Sequence, residues 1–292
     1  MQNYHGLPTA VLENDHIRLE YLTTAGPRIV GLSYHGSPNL LADVYDVIWD
    51  TPNGDYRPLG GHRLWISPEY PEKTYVPDIA GLTLREIPHG VELTGAIEAS
   101  SGVRKTIRLE LDPAAPLLRL THTIVNETSI PLTFAPWAIT QFVQGGTVVL
   151  PQPVGNTDPQ GLLSNRLLVL WPYTRINDPR LVLRDDYILL RASAALPAVK
   201  LGYASTAGWL AYWWNGILFR KSFELHPGAP YPDGGCNAES YCGDRFVELE
   251  SLGALESLAP GQSVQLTETW ELYPSLEVAF LPAEIQQFLM NK

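Results

Sequence analysis

Short runs in which apolar and polar side chains alternate recur along the whole chain, separated by breaks rich in glycine, proline and asparagine. Alternation with a period of two residues is the pattern of a β-strand that buries one face. Many short runs of this kind, spaced by turn residues, predict an antiparallel sandwich or barrel. The runs that alternate are 17–22, 91–97, 105–111 and 118–125, and the further strand-like runs are 148–150, 187–190, 209–214, 217–219 and 264–273.

One segment, 282–290, has helical spacing instead. Ile285, Phe288 and Leu289 fall on one face of a helix, and Pro282 suits its first turn. The chain shows neither a linker nor an internal repeat, and all-β chains often exceed about 200 residues as one unit. We therefore predict an all-β fold, a large antiparallel β-sandwich with a short C-terminal helix, that forms a single domain over residues 1–292.

The strand pattern of residues 246–253 places two carboxylates where apolar side chains are expected. Glu248 and Glu250 share one face of this strand, while Val247 and Leu249 point the other way. Two acids on one strand face are typical either of a solvated sheet surface or of the floor of a polar cleft. The aromatic and glycine-rich sequence just upstream favours the cleft.

The net charge of −11 and the isoelectric point near 5.1 argue against a nucleic-acid or anionic-membrane surface. Binding to phosphates needs clustered lysine and arginine, and the 20 basic residues form no run. No apolar segment reaches the roughly 18 residues of a membrane-spanning helix, and the N-terminus does not resemble a signal peptide. We expect a cytoplasmic protein, or an extracellular one if a signal peptide has been removed.

Cysteine and histidine give little support for a metal or a cofactor. Cys236 and Cys242 lie near enough in sequence for a disulfide, which the reducing cytosol would disfavour, and they cannot form a four-ligand zinc site alone. The seven histidines are scattered, with no pair at metal-ligand spacing. Phosphate loops, dinucleotide fingerprints and nucleophile elbows do not occur. We therefore expect no cofactor.

Residues 60–70 concentrate side chains that suit a sugar, namely His62, Arg63, Trp65 and Glu69, behind a glycine pair. An aromatic ring stacks on the apolar face of a pyranose, and charged or fork-shaped groups bond its hydroxyls. The glycines would let the backbone turn or approach a ligand closely. The alternative is a structural loop with a packed tryptophan and an ion pair between Arg63 and Glu69.

A glycine- and proline-rich connection at 219–241 leads into the strand that carries Glu248. Loops on a rigid β-scaffold are where binding groups usually lie, and we expect at most half of its polar residues to contact a ligand. Trp137 is a stacking platform or a core residue. The further candidates for contact with a ligand are Trp137, Gln141, Lys221, Asp233, Asn237, Glu239 and Glu248.

Several segments, in this order, resemble the galactose mutarotase-like (aldose 1-epimerase) superfamily. The resemblance extends over about residues 10–275 and is closest to a bacterial branch with Gly-Gly-His-Arg-Leu-Trp and Tyr-Pro-Asp-Gly-Gly signatures. The segments that carry it are 12–32, 35–36, 39–41, 125–126, 131–134, 247–250, 258–263 and 268–273.

The resemblance implies roles for individual residues. Glu250 corresponds to the strand acid that removes a proton from the anomeric hydroxyl. Arg63 corresponds to the arginine that binds sugar hydroxyls, and Asp233 to an acid that binds them. The pattern departs where mutarotases present their acid histidine, because Trp137 to Gln141 follow residues 131–134 here. His62 is the candidate for a replacement acid.

Three functions remain open for a protein that takes a mono- or oligosaccharide. The first is aldose 1-epimerase-like proton transfer at the anomeric centre, with Glu250 as base and His62 as acid. The second is a non-catalytic carbohydrate-binding protein. The third is a glycoside hydrolase or lyase, since Glu248 and Glu250 lie about 6.6 Å apart by strand rise, within the roughly 5 to 9.5 Å that hydrolysis uses.

Overall fold

The computed structural model of the protein describes residues 2–290, which are built almost entirely of β-strands. The strands are β1 (Gln2–Tyr4), β2 (Leu7–Glu13), β3 (Ile17–Leu22), β4 (Ile29–Tyr34), β5 (Asp43–Val44), β6 (Trp49–Thr51), β7 (Gly54–Tyr56), β8 (Leu59–Ser67), β9 (Thr83–Ile87), β10 (Gly90–Ile97), β11 (Val103–Leu111), β12 (Leu117–Asn126), β13 (Leu132–Phe142), β14 (Thr147–Pro151), β15 (Leu168–Leu170), β16 (Leu181–Leu183), β17 (Tyr187–Arg191), β18 (Val199–Tyr203), β19 (Trp209–Trp214), β20 (Ile217–Phe223), β21 (Ala238–Cys242), β22 (Val247–Leu252), β23 (Glu256–Leu258) and β24 (Ser263–Tyr273). The helices are α1 (Pro71–Thr74) and α2 (Ala283–Met290).

The strands form two large sheets that face each other. A 12-stranded sheet has the order β1-β2-β3-β4-β8-β13-β22-β21-β18-β15, with β23 joined to β13 and β5 to β8. A 10-stranded sheet has the order β16-β17-β14-β19-β20-β24-β12-β11-β10-β9, and β6 and β7 form a separate hairpin. The pairs at the centre of the larger sheet are all antiparallel. The predicted all-β sandwich is confirmed.

The main apolar cluster lies between the two sheets. Leu19 and Leu249 enter it from the larger sheet, and Leu109 and Leu120 from the smaller one, each with 0% exposure. Full burial of one such leucine contributes about 1.5 to 3 kcal/mol. The alternating strands thus place their apolar faces together, as the sequence pattern predicts.

The C-terminal helix is confirmed and packs on a second apolar cluster. Ile285 and Leu289 of α2 are buried against Val149, Leu218 and neighbouring residues.

That residues 1–292 form a single domain stays a prediction. Among the described residues, no helix combines the length and apolar character that a membrane crossing requires.

Strands also occur in two segments in which the sequence pattern predicted none. Residues 60–67 belong to β8, all of whose residues are buried, so no alternation marks it as a strand. Gly61, at φ +66°, is needed because a Cβ there would lie 1.9 Å from the carbonyl oxygen of Ile29. The glycine therefore allows a close approach to a neighbouring strand, not to a ligand. The second segment, 219–241, contributes to β20 and β21.

Candidate functional site

Polar side chains line up across the outer face of the larger sheet, the face turned away from the main apolar cluster. In one row of register partners, Lys200 of β18 lies opposite Tyr241 of β21, which is opposite Glu248 of β22, which is opposite Gln141 of β13. Antiparallel partners share a face of the sheet, so these four side chains point the same way.

A second row lies two residues further along each strand and therefore on the same face. It joins Glu239 of β21, Glu250 of β22, Ile139 of β13 and Arg63 of β8. Sheet pairing thus gathers onto one surface acids and bases that are far apart in the chain. This surface is the floor of a cleft.

Aromatic side chains form the walls of this cleft, which has a volume of about 420 Å³. On the β8 side, Trp65 packs against Tyr75 with ring centroids 5.2 Å apart and against Trp137 at 5.4 Å. On the β21 side, the ring centroids of Tyr241 and Tyr173 are 6.4 Å apart. The lining residues are Trp49, Arg63, Trp65, Glu69, Tyr75, Trp137, Ile139, Trp171, Tyr173, Ala198, Lys200, Tyr241, Phe246 and Glu248.

Glu248 is the acid of the floor that lines the cleft. Its Oε1 accepts hydrogen bonds from Gln141 Nε2 at 2.8 Å and Arg63 Nη2 at 3.2 Å. Burial and the nearby charge of Glu250 raise the pKa of Glu248 to about 7, against the opposing effect of Arg63. The carboxylate is therefore poised between its charged and neutral forms near neutral pH.

Arg63 lies against the aromatic wall of the cleft. Its guanidinium carbon lies 4.0 Å from the ring centroid of Trp65, and its side chain is 3% exposed. The Nε and Nη1 atoms of Arg63 are buried and have no hydrogen-bond partner among the described residues. A buried donor without a partner costs about 1 to 3 kcal/mol, so these groups are suited to a polar ligand.

Glu250 lies deeper than Glu248 and is joined to Lys200. Its Oε2 accepts from Lys200 Nζ at 2.9 Å and from Trp137 Nε1 at 2.8 Å, and the residue is 0% exposed. Lys200 Nζ also lies 2.9 Å from Glu239 Oε2. One buried lysine therefore bridges two buried acids.

These charges act on one another. Burial alone would lower the pKa of Lys200, but Glu250 and Glu239 outweigh it and hold the pKa well above its usual value. Burial raises the pKa of Glu239 well above the ordinary range, because the attraction of Lys200 offsets it only in part and Glu250 adds repulsion. The triad therefore has an ammonium ion at its centre and a buried carboxyl group on either side.

His62 lies on the opposite face of β8 from Arg63, in the interior of the sandwich, with 0% exposure. Its Nε2 lies 2.8 Å from His122 Nε2, and its Nδ1 lies 2.9 Å from the Thr140 hydroxyl. His122 Nδ1 donates to the Leu266 carbonyl, which makes its Nε2 the acceptor from His62 and leaves His62 Nδ1 to accept from Thr140. Burial, then the proximity of His122, lowers the pKa of His62 well below its usual value.

Lys221 shares this interior. Its Nζ lies 3.0 Å from Glu268 Oε1 and donates to the Leu249 carbonyl at 3.0 Å. The ligand-type atoms of His62, His122 and Glu268 lie within 4.8 Å of one another. Both ring nitrogens of each imidazole already have partners, and Glu268 accepts from Trp270 and a serine, so this cluster is a satisfied buried network.

The structure brings most of the sequence-predicted residues together at the cleft. Glu69, hydrogen-bonded by the Tyr75 hydroxyl, and Asp233, which accepts from Ser67 at 3.3 Å, lie at the rim. Asn237 does not reach the cleft, because its amide bonds the backbone of Ser205. His62 and Lys221 also lie outside it. Those that gather at the floor and walls are Arg63, Trp65, Trp137, Gln141, Glu239, Glu248 and Glu250.

The sequence interpretation missed Lys200 and part of the aromatic walls. Lys200 is a lone charge between Val199 and Leu201, and alternation in that short run would have placed it on the face opposite the core. Trp171 follows a three-residue edge strand and leaves no comparable signal. Cys236 and Cys242, which we considered for a disulfide, are free and buried.

A scan against models of known protein families found no match, and a search of curated protein sequences found none. Solved structures do match. A galactose mutarotase-like protein from Lactobacillus casei aligns with 91% of this chain and 100% of its own, at 12% identity and a TM-score of 0.56. A galactose mutarotase related enzyme from Lactobacillus acidophilus aligns with 94% of this chain and 100% of its own, at 11% identity and a TM-score of 0.51.

A third match is a TPR-domain containing protein from Parabacteroides distasonis. It aligns over 95% of this chain and 50% of its own, with 13% identity and a TM-score of 0.62. The likenesses to the two Lactobacillus proteins show that the chain has the galactose mutarotase-like fold, as the sequence resemblance implies. A fold alone does not determine the chemistry of its site.

Proposed function

We propose that the cleft binds an aldose and catalyses proton transfer at its anomeric centre, as an aldose 1-epimerase does. The observation that carries this proposal is the position of Glu248, a carboxylate at the floor of an aromatic cleft and beside Arg63. The likeness of the fold to galactose mutarotase-like proteins supports it.

Opening of a pyranose ring begins when a base removes the proton of the O1 hydroxyl. Glu248 suits this task better than Glu250, because Glu248 lines the cleft whereas Oε2 of the fully buried Glu250 is held by Lys200 and Trp137. A base works best when its pKa lies near the working pH, and that of Glu248 is raised to about 7. General base catalysis of this kind typically contributes about 10² to 10⁴ in rate.

The remaining groups would bind the sugar. Arg63 lines the cleft, and its Nε and Nη1, which have no partner among the described residues, are donors for ring hydroxyls. The rings of Trp65 and Trp137 offer flat apolar surfaces to the C–H face of a pyranose.

A panel of sugars tests the proposal. Freshly dissolved α-glucose, α-galactose and α-mannose are followed by ¹H NMR as they approach anomeric equilibrium, with native protein and with heat-unfolded protein as the control. Catalytic amounts of native protein should accelerate exchange of at least one sugar. The proposal is wrong if none of these sugars, nor their 6-phosphates, equilibrates faster than with the unfolded control.

A second candidate function is carbohydrate binding without catalysis. The observation that favours it is the mutual pairing of the floor charges, Glu248 with Arg63 and Glu250 with Lys200. Quenching of tryptophan fluorescence by a sugar whose anomer exchange stays at the uncatalysed rate would support this function instead.

A further inference from the structure

Ring opening needs a proton donor as well as a base, because O5 must receive a proton when the C1–O5 bond breaks. The acid histidine implied by the sequence resemblance is missing, since Trp137 to Gln141 occupy that stretch. Among the described residues, no histidine lines the cleft or the adjoining space at its rim. The donor must therefore come from another kind of side chain.

We propose that Lys200 is this donor, an inference that rests on the proposed function. Lys200 lines both the cleft and its rim, so its side chain reaches the space where a sugar would lie. Its ammonium has three N–H bonds. One is donated to Glu250 Oε2 at 2.9 Å, and Glu239 Oε2 lies 2.9 Å from Nζ as an ion pair. At least one N–H bond is left for a ligand.

The surroundings of Lys200 fix the ammonium in place. Its Nζ lies 4.7 Å from the ring centroid of Trp137 and 4.5 Å from that of Trp171, so two aromatic rings pack against the ammonium. The residue is only 5% exposed. A donor held in this way needs little reorganisation when a substrate arrives.

Two other groups of the cleft, Arg63 and Tyr241, are less suited to the task. Arg63 does not release a proton in proteins. The ring of Tyr241 packs against Phe246, with ring centroids 5.7 Å apart, and its neutral hydroxyl brings no positive charge to stabilise an alkoxide at O5. Lys200, in contrast, lies between two carboxylates that stabilise its proton before the reaction and attract it again afterwards.

The step balances as follows. Glu248 takes the proton of the O1 hydroxyl, and the electron pair of that O–H bond forms the second bond of the C1=O1 carbonyl. The C1–O5 bond breaks, its electron pair goes to O5, and Lys200 Nζ transfers a proton to O5. Transfer is favourable at that point because an alkoxide is a stronger base than an amine. Rotation about C1–C2 and reversal of both transfers give the other anomer.

The test replaces Lys200 by arginine, which keeps the positive charge but does not give up a proton. We expect Lys200→Arg to fold, to bind the accepted sugar within about 5-fold of the wild-type Kd, and to lose about 100-fold or more in kcat. Lys105→Arg is the matched control, because Lys105 is also 5% exposed and is ion-paired, with Glu98 at 2.6 Å, outside the cleft. That variant should retain the wild-type rate.

The outcomes separate the two proposals. If the wild type accelerates anomer exchange and Lys200→Arg does so equally, Lys200 is not the donor and the proposed function stands. Loss of the rate in Tyr241→Phe together with its retention in Lys200→Arg would assign the proton to the tyrosine. If the wild type accelerates no exchange, the proposed function fails and the assignment of Lys200 is overturned with it.

Discussion

Lys200 and Glu250 are 50 positions apart in the chain, yet Lys200 Nζ donates to Glu250 Oε2 at 2.9 Å on the floor of the cleft. Neither group is more than 5% exposed, so each charge depends on the other for the interactions that water would otherwise supply. Removal of one partner of a buried ion pair lowers the stability of the fold more than replacement of both partners by apolar residues.

This pairing predicts the stability of two variants. Lys200→Met should lower the free energy of unfolding by about 3 to 5 kcal/mol, because it leaves Glu239 and Glu250 buried without their counter-ion. The double variant Lys200→Met, Glu250→Gln should recover part of that loss, because one of the two acids is then neutral. Urea unfolding of the two variants and the wild type measures both effects. A double variant less stable than Lys200→Met would contradict this account of the triad.

The raised pKa of Glu248 predicts a pH-dependent effect of Glu248→Gln on stability. Its pKa is about 7 in the folded protein and near 4.5 when unfolded, so between these values only the folded state holds the proton. The wild type therefore loses stability through this group as the pH rises from about 4.5 to 7. The difference in unfolding free energy, variant minus wild type, should increase over that interval by about 3 kcal/mol.

Urea unfolding of Glu248→Gln and wild type at pH 5, 6, 7 and 8 measures this difference. Glu256→Gln, a change at an exposed glutamate, is the control and should show no comparable trend. A difference independent of pH would mean that the Glu248 carboxyl titrates alike in the folded and unfolded protein.

His62 should matter for stability but not for turnover. The imidazoles of His62 and His122 are buried and their pKa values lowered, so below about 6.5 the unfolded state takes up protons that the folded state does not. Stability contributed by His62 is thus complete above that pH and is lost as the pH falls. His62→Gln should be less stable at pH 7.5, and the deficit should narrow by about 1 to 2 kcal/mol on going to pH 5.

Thermal unfolding at the two pH values and anomer exchange at pH 7.5 check this prediction. The folded variant should keep its rate within about 3-fold, because the His62 ring faces the sandwich interior. A folded His62→Gln protein with turnover reduced about 100-fold would restore His62 as the acid that the sequence suggested.

Trp171 should contribute to sugar binding with little effect on the fold. It lines the cleft, is half-buried and follows an edge strand. Trp171→Ala should weaken binding of the accepted sugar about 10-fold, the equivalent of roughly 1.4 kcal/mol. Titration by isothermal calorimetry measures the affinity, and Trp209→Ala, a half-buried tryptophan that packs on Phe280, is the control. Equal sugar affinities of the two variants would show that Trp171 does not belong to the binding surface.

Strands with one buried face were predictable from alternation, whereas β8, which is buried on both faces, was not. Residues 17–22 alternate and form β3 with those bounds, and residues 105–111 alternate within β11. In β8, the core side and the cleft side both exclude solvent, so alternation disappears and the glycine pair suggests a loop.

The same distinction applies to the site. The two acids of β22 are visible because charges interrupt an apolar strand. The partner of each acid depends on strand order and register, since Lys200 meets Glu250 only through the pairing of β18 with β21 and of β21 with β22. The sequence of β8 also does not show which of its side chains face the cleft and which face the core. Arg63 faces the cleft, whereas its neighbour His62 faces the core. Long-range pairing of this kind has no local signature in one sequence.

A side-by-side comparison of Glu248→Gln and Glu250→Gln tests the central claim, that Glu248 is the base at the floor of the cleft. The measurement is the rate of anomer exchange for the accepted sugar, by saturation-transfer NMR at pH 7.5, with sugar affinity determined for each folded variant. We predict that Glu248→Gln loses about 100-fold or more, and that Glu250→Gln, which only repositions Lys200 and Trp137, loses about 10-fold. Full activity of Glu248→Gln with complete loss in Glu250→Gln would contradict the account and make Glu250 the base.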